Sequence, residues 1–76
     1  MDLKEAVAAA KRQIGETFAG NAPRDLRLDG FVYDDHLMVW SLTIGFDPPG
    51  DPGAGRISKI VRVSEANKSV LSIRDA

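Results

Sequence analysis

The stretch 37–46 constrains this chain most, because Met38, Trp40, Leu42, Ile44 and Phe46 alternate there with Leu37, Val39, Ser41, Thr43 and Gly45. Side chains along a strand point to opposite faces in turn, so one face of this segment is continuously apolar and the other substantially polar. A strand of that kind sits in a sheet covered on one side, as antiparallel sheets commonly are. Something else in the chain must therefore supply the cover.

The N-terminal segment has the periodicity to do so. Leu3, Val7, Ala10, Ile14 and Phe18 fall at helical spacing, while Lys4, Glu5, Lys11, Arg12 and Glu16 lie mainly elsewhere on the wheel. Asp2 followed by Glu5 makes a capping-box-like start, and Ala6, Ala8, Ala9 and Ala10 add helix propensity with little bulk. Gly15 is expected to let a strand approach closely. Gly20, Asn21 and Pro23 punctuate the end of the helix.

The remaining strands follow from the same alternation. Residues 25–33 read as a first strand in which Leu26 and Leu28 share one face and Asp25, Arg27 and Asp29 the other. Gly30 interrupts that pattern before Phe31, Val32 and Tyr33 and marks a candidate bulge that would turn the aromatic residues inward. Asp34, Asp35 and His36 form the expected hairpin turn. Residues 47–55, rich in proline and glycine, read as a loop. The last hairpin joins 56–64 to 69–75 through Glu65, Ala66, Asn67 and Lys68, with Val61 and Val63 inward and Leu71 and Ile73 as the expected core of the final strand.

The expected fold is therefore α+β: one N-terminal helix packed on one face of a four-stranded antiparallel meander, as a single domain over residues 1–76. A ferredoxin-like topology would need a second crossover helix, and a barrel would ask very few residues to close and fill a tube. A chain of 76 residues has room for one compact core only.

Composition excludes several chemistries. With no cysteine, disulfides, thiolate catalysis and cysteine-ligated zinc are ruled out. A formal net charge of -1 argues against a generic polyanion binder. The start of the chain lacks a basic leader followed by an apolar stretch, and no apolar run approaches the roughly 20 residues that span a bilayer, so a soluble cytoplasmic protein without membrane binding is expected.

The N-terminal helix, the Trp40 strand, and Lys59, Ile60, Val61, Arg62 and Val63 followed by Val70, Leu71, Ser72 and Ile73 resemble a small PepSY-like module. Such modules often carry an Asx-Gly step in the final turn, where this chain has Asn67 and Lys68. The resemblance implies a noncatalytic regulatory, inhibitory or accessory role of the kind PepSY-like domains have around proteases and envelope proteins. It carries over no binding residue.

No enzymatic constellation stands out. His36 beside Asp34 and Asp35 reads as a solvated turn, since consecutive turn residues do not by themselves converge on a metal. Ser41, Thr43, Ser58, Ser64, Ser69 and Ser72 are hydroxyls without a positioned base. Gly50, Gly53 and Gly55 lack the lysine and hydroxyl of a phosphate loop, so no cofactor is expected.

The expected function is thus a noncatalytic protein-interaction or regulatory module whose partner is another protein or a second copy of the chain. Its expected surface is the open sheet face, where Val39 and Ile60 interrupt a polar surface carrying Arg62, Ser72 and Arg74. A homodimer would either bury that face or pair the first or last strand across an edge. The alternative is single-stranded nucleic-acid binding, with Arg27, Arg56, Arg62 and Arg74 on phosphates and Phe31 or Tyr33 stacking on bases.

Overall fold

A computed structural model describes residues 2–18, 21–50 and 55–76. One helix, α1 (Leu3–Thr17), precedes four strands, β1 (Arg24–Asp34), β2 (Val39–Asp47), β3 (Ile57–Ser64) and β4 (Ser69–Asp75). The strands form one antiparallel sheet in the order β1-β2-β3-β4, the expected meander.

The helix begins where Asp2 accepts a hydrogen bond on its side chain from the Glu5 amide at 2.9 Å, satisfying one of the free N–H groups of the first turn. Ala6, Ala10 and Ile14 are buried against the sheet, with Leu3, Val7, Ala9 and Phe18 packed around them. Two alanines on the buried stripe keep the helix backbone close to the strands. Gly15 does not serve that purpose: a Cβ built there meets nothing within 4 Å. Gly15→Ala should therefore raise stability by about 0.5–1 kcal/mol, through lower backbone entropy in the unfolded chain, and denaturant unfolding would show it.

On β2 the alternation holds from Trp40 onward, and Leu42, Ile44 and Phe46 are wholly buried beneath α1. Their partners on β3 are Val61, Lys59 and Ile57, and Val63 lies opposite Trp40. Phe46 meets Phe18 edge to face, with ring centroids 5.5 Å apart. The Lys59 ammonium, on the same face, pairs with the Asp75 carboxylate.

Three expectations are corrected. Met38 lies in the turn before β2 rather than on its inner face: its φ is 55 and it is 46% exposed, as Leu37 is at 60%. A residue at such a φ leaves the extended conformation, so the apolar alternation ends one step before the sequence pattern does. Leu71 is exposed, and Val70 instead packs on the core with Ile73. A register shift after Arg62 causes this, because Arg62 faces Ser72 while Val63 faces Val70, leaving Leu71 as the extra residue. Gly15, as noted, is not a point of close approach.

The bulge expected near Gly30 is present. Leu28 pairs with Ile44 and Gly30 with Thr43, so Asp29 is the extra residue, and Phe31 and Tyr33 return to the face that carries Leu28. A second shift between Arg24 and Arg27 coincides with the positive φ of Asp25. The turn at 65–68 is as expected, with Lys68 at φ 54 in the left-handed position that glycine would favour. Part of the loop at 47–55 lies outside the described residues.

Candidate functional site

Where the helix sits decides which surfaces remain available. α1 packs on β2, β3 and β4. Leu26 and Leu28, in the first half of β1, still reach the core, but Phe31, Val32 and Tyr33 in the second half are 53%, 67% and 36% exposed. With Leu37 and Met38 they gather five exposed apolar or aromatic side chains on the β1–β2 hairpin.

The aromatic residues of this hairpin are ordered. Tyr33 faces Trp40 across the strands, and their ring centroids are 4.6 Å apart; Phe31 stands 6.2 Å from the same indole. The Tyr33 hydroxyl donates to the Glu65 carboxylate in the β3–β4 turn, and the Glu65 amide donates to the Met38 carbonyl at 3.0 Å. These two bonds tie both turns together at one end of the sheet. The Asp34 carboxylate accepts from the amides of His36 and Leu37 at 2.9 and 3.1 Å, an Asx turn that holds the hairpin tip. Trp40 Nε1 is buried and has no hydrogen-bond partner among the described residues.

The hydrogen bond to Glu65, followed by partial desolvation and the charge of that carboxylate, pushes the Tyr33 hydroxyl from 10.0 up to about 12. The folded state thus holds this proton more tightly than the unfolded chain. Its contribution to stability is complete below pH 10.0 and is lost as pH rises toward about 12. Tyr33 is the only tyrosine, so tyrosinate absorbance reports on it alone. Alkaline titration should give a midpoint near the raised value, and Glu65→Ala should return it toward 10.0; identical midpoints in the two proteins would refute the assignment.

The other end of the sheet carries a charge cluster, on the open face. Arg56 reaches the Asp25 carboxylate at 3.0 Å, the Asp47 carboxylate at 3.4 Å and the Asp25 carbonyl at 3.1 Å, while Arg27 pairs with Asp25 at 3.0 Å. Its hydrogen bond from Arg27, with the charges of Arg27 and Arg56, holds Asp25 below the ordinary carboxylate value. Gly45 makes room for this cluster and for the neighbouring Asp29, since a Cβ there would clash with the Asp29 carboxylate and lie 3.3 Å from the Arg56 guanidinium. The cluster fastens the start of β3 to the start of β1.

The residues expected on the open face are placed there by register but not as one continuous site. Ile60 lies opposite Arg74 and Arg62 opposite Ser72, so these four are neighbours on β3 and β4. Val39 is opposite Ser64 near the turns and only 6% exposed. Ser72 and Arg74 are exposed, whereas Ile60 and Arg62 are half-buried. Of the four arginines considered for phosphate contacts, Arg27 and Arg56 are engaged with aspartates. Phe31 and Tyr33, inward by parity past the bulge and candidates for base stacking in the alternative reading, are exposed at 53% and 36%, because their exposure depends on where α1 ends laterally.

An open cleft between Glu5, Ala8, Ala9, Arg12 and Lys68 has mixed charge. Among the described residues, no group of three or more histidine, aspartate or glutamate side chains is arranged to hold a metal ion. No helix among them is long and apolar enough to cross a membrane. Comparisons with protein-family models, with curated proteins and with solved structures give no match.

Proposed function

We propose that this chain is a noncatalytic protein-interaction or regulatory module that docks its partner on the β1–β2 hairpin. The observation that carries this reading is the exposure of Phe31, Val32, Tyr33, Leu37 and Met38 on one hairpin at the edge of the sheet. Aromatic side chains beside an unpaired strand edge are the materials of strand-addition binding: main-chain hydrogen bonds supply affinity and alternating side chains supply selectivity. Phe31 and Tyr33 are braced against Trp40, so little side-chain entropy remains to be lost when they are covered. The PepSY-like resemblance points in the same direction, toward regulation or inhibition by contact.

Capture of partners from the source cell tests this. The wild-type chain should retain a partner that Phe31→Lys loses and that an Arg62 and Arg74 double substitution keeps. The reverse pattern would move the site to the open face carrying Ile60, Arg62, Ser72 and Arg74. Salt-sensitive binding to short single strands that depends on Arg62 and Arg74 would replace the reading with nucleic-acid binding, and a wild-type chain that captures nothing would refute it.

A further inference from the structure

The outer edge of β1 carries enough pattern to say what pairs with it. Of the two edge strands, β4 is the shorter at 7 residues and exposes one large apolar side chain, Leu71, among Ser69, Ser72, Arg74 and Asp75. β1 runs for 11 residues and exposes Phe31, Val32 and Tyr33 in succession. Long edges with exposed apolar side chains invite pairing with another strand.

We infer that this edge pairs antiparallel with β1 of a second copy, across a two-fold axis at Phe31, joining two four-stranded sheets into one. The inference rests on the interaction reading and names its partner. About such an axis Phe31 meets Phe31 of the other copy and Gly30 meets Val32. Asp29 is then the bulged residue, as it is against β2, so Leu28 meets Tyr33 and Arg27 meets Asp34. Every pair so formed shares a face. Leu28, Phe31 and Tyr33 lie on the helix side through their partners Ile44, Leu42 and Trp40, whereas Arg27, Gly30, Val32 and Asp34 lie on the other through Gly45, Thr43, Ser41 and Val39.

Charge complementarity selects this register. Arg27 and Asp34 meet twice, once on each side of the axis, as an isologous interface requires. The Arg27 side chain is 68% exposed even while it holds Asp25, so its guanidinium has donors to spare. An axis one residue along, at Val32, would also keep the faces consistent, but it would set Arg27 against His36 and Asp34 against Gly30. Both ion pairs would be lost.

The absence of cysteine makes the test clean. Residues opposite one another in antiparallel strands have Cα atoms about 4.5–5.5 Å apart, within the span of a disulfide. Phe31→Cys should therefore form a disulfide-linked dimer on mild oxidation, while Leu71→Cys, exposed on β4, should not cross-link. Sedimentation of the wild-type chain should show a monomer–dimer equilibrium that Arg27→Asp weakens by about tenfold, by setting two aspartates opposite each other, with the far-UV spectrum unchanged. A wild-type chain that stays monomeric at several hundred micromolar overturns the pairing, as does cross-linking of Leu71→Cys in preference to Phe31→Cys. If such a monomer still captures a partner through Phe31, only the self-pairing fails; if it captures none, the interaction reading fails with it.

Discussion

Phe46→Ala is expected to remove a large part of the stability of this domain. Phe46 is wholly buried, stands against Phe18 at 5.5 Å, and belongs to the cluster of Leu42, Ile44, Val61 and Val63 under α1. Truncating a buried phenylalanine costs about 3–5 kcal/mol, from lost transfer energy and the cavity left behind. A domain of this size has a total stability of about 4–11 kcal/mol. The midpoint of thermal unfolding should fall by more than about 12 °C, or the variant should be unfolded at room temperature. Phe31→Ala, at a position 53% exposed, should cost less than about 1 kcal/mol when measured on the monomer. Similar losses at both positions would contradict the placement of the core.

The second large effect concerns Trp40, where two substitutions should diverge. Trp40→Ala removes a ring that packs on the core and supports both Phe31 and Tyr33, and should cost about 3 kcal/mol, the low end for a tryptophan because its side chain is not wholly enclosed. Trp40→Phe keeps an aromatic ring against Tyr33 and removes the buried, unpartnered Nε1 donor, whose desolvation costs about 1–3 kcal/mol. The smaller ring loses contact area, so the two terms oppose and the net change should be less than about 1.5 kcal/mol. Urea unfolding followed by far-UV circular dichroism compares the pair without relying on indole fluorescence. Equal destabilisation by both would show that the indole nitrogen is satisfied after all.

The surface proposed for binding is a consequence of dimensions. A helix with its side chains is about 10 Å across, and strands lie about 4.8 Å apart, so a single helix cannot cover the full width of four strands. α1 packs on β2, β3 and β4, and the far half of β1 is what remains. Its side chains are nevertheless of the kind used inside proteins. Tyr33 is held there by Trp40 beside it on β2 and by Glu65 at its hydroxyl, an arrangement that favours a ready-made contact surface over a loose edge.

Much of the architecture was legible residue by residue. Asp2 caps α1, Ala10 and Ile14 lie on its buried stripe, Leu42, Ile44 and Phe46 face it from β2, and 65–68 turns the last hairpin, each from a local pattern that tertiary packing did not override. The bulge beside Gly30 was also legible, because two leucines and two aromatic residues could share a face only if one residue between them was surplus. The candidate site was not. What parity does not show is burial: Val39 lies on the open face and is buried, while Phe31 and Tyr33 carry inward parity and are exposed.

By itself, then, the sequence determined which residues alternate, where the chain turns and that one helix must cover one sheet, because these depend on periods of 3.6 and 2 and on local hydrogen bonding. Tertiary structure alone decided that Leu71 yields its core place to Val70, that Met38 leaves β2 for the turn, and that the helix stops short of the β1 aromatics. A one-residue shift in a strand reverses every side chain beyond it, and the lateral position of a helix on a sheet is set by the summed packing of the whole core. Neither quantity is a property of any short stretch of chain.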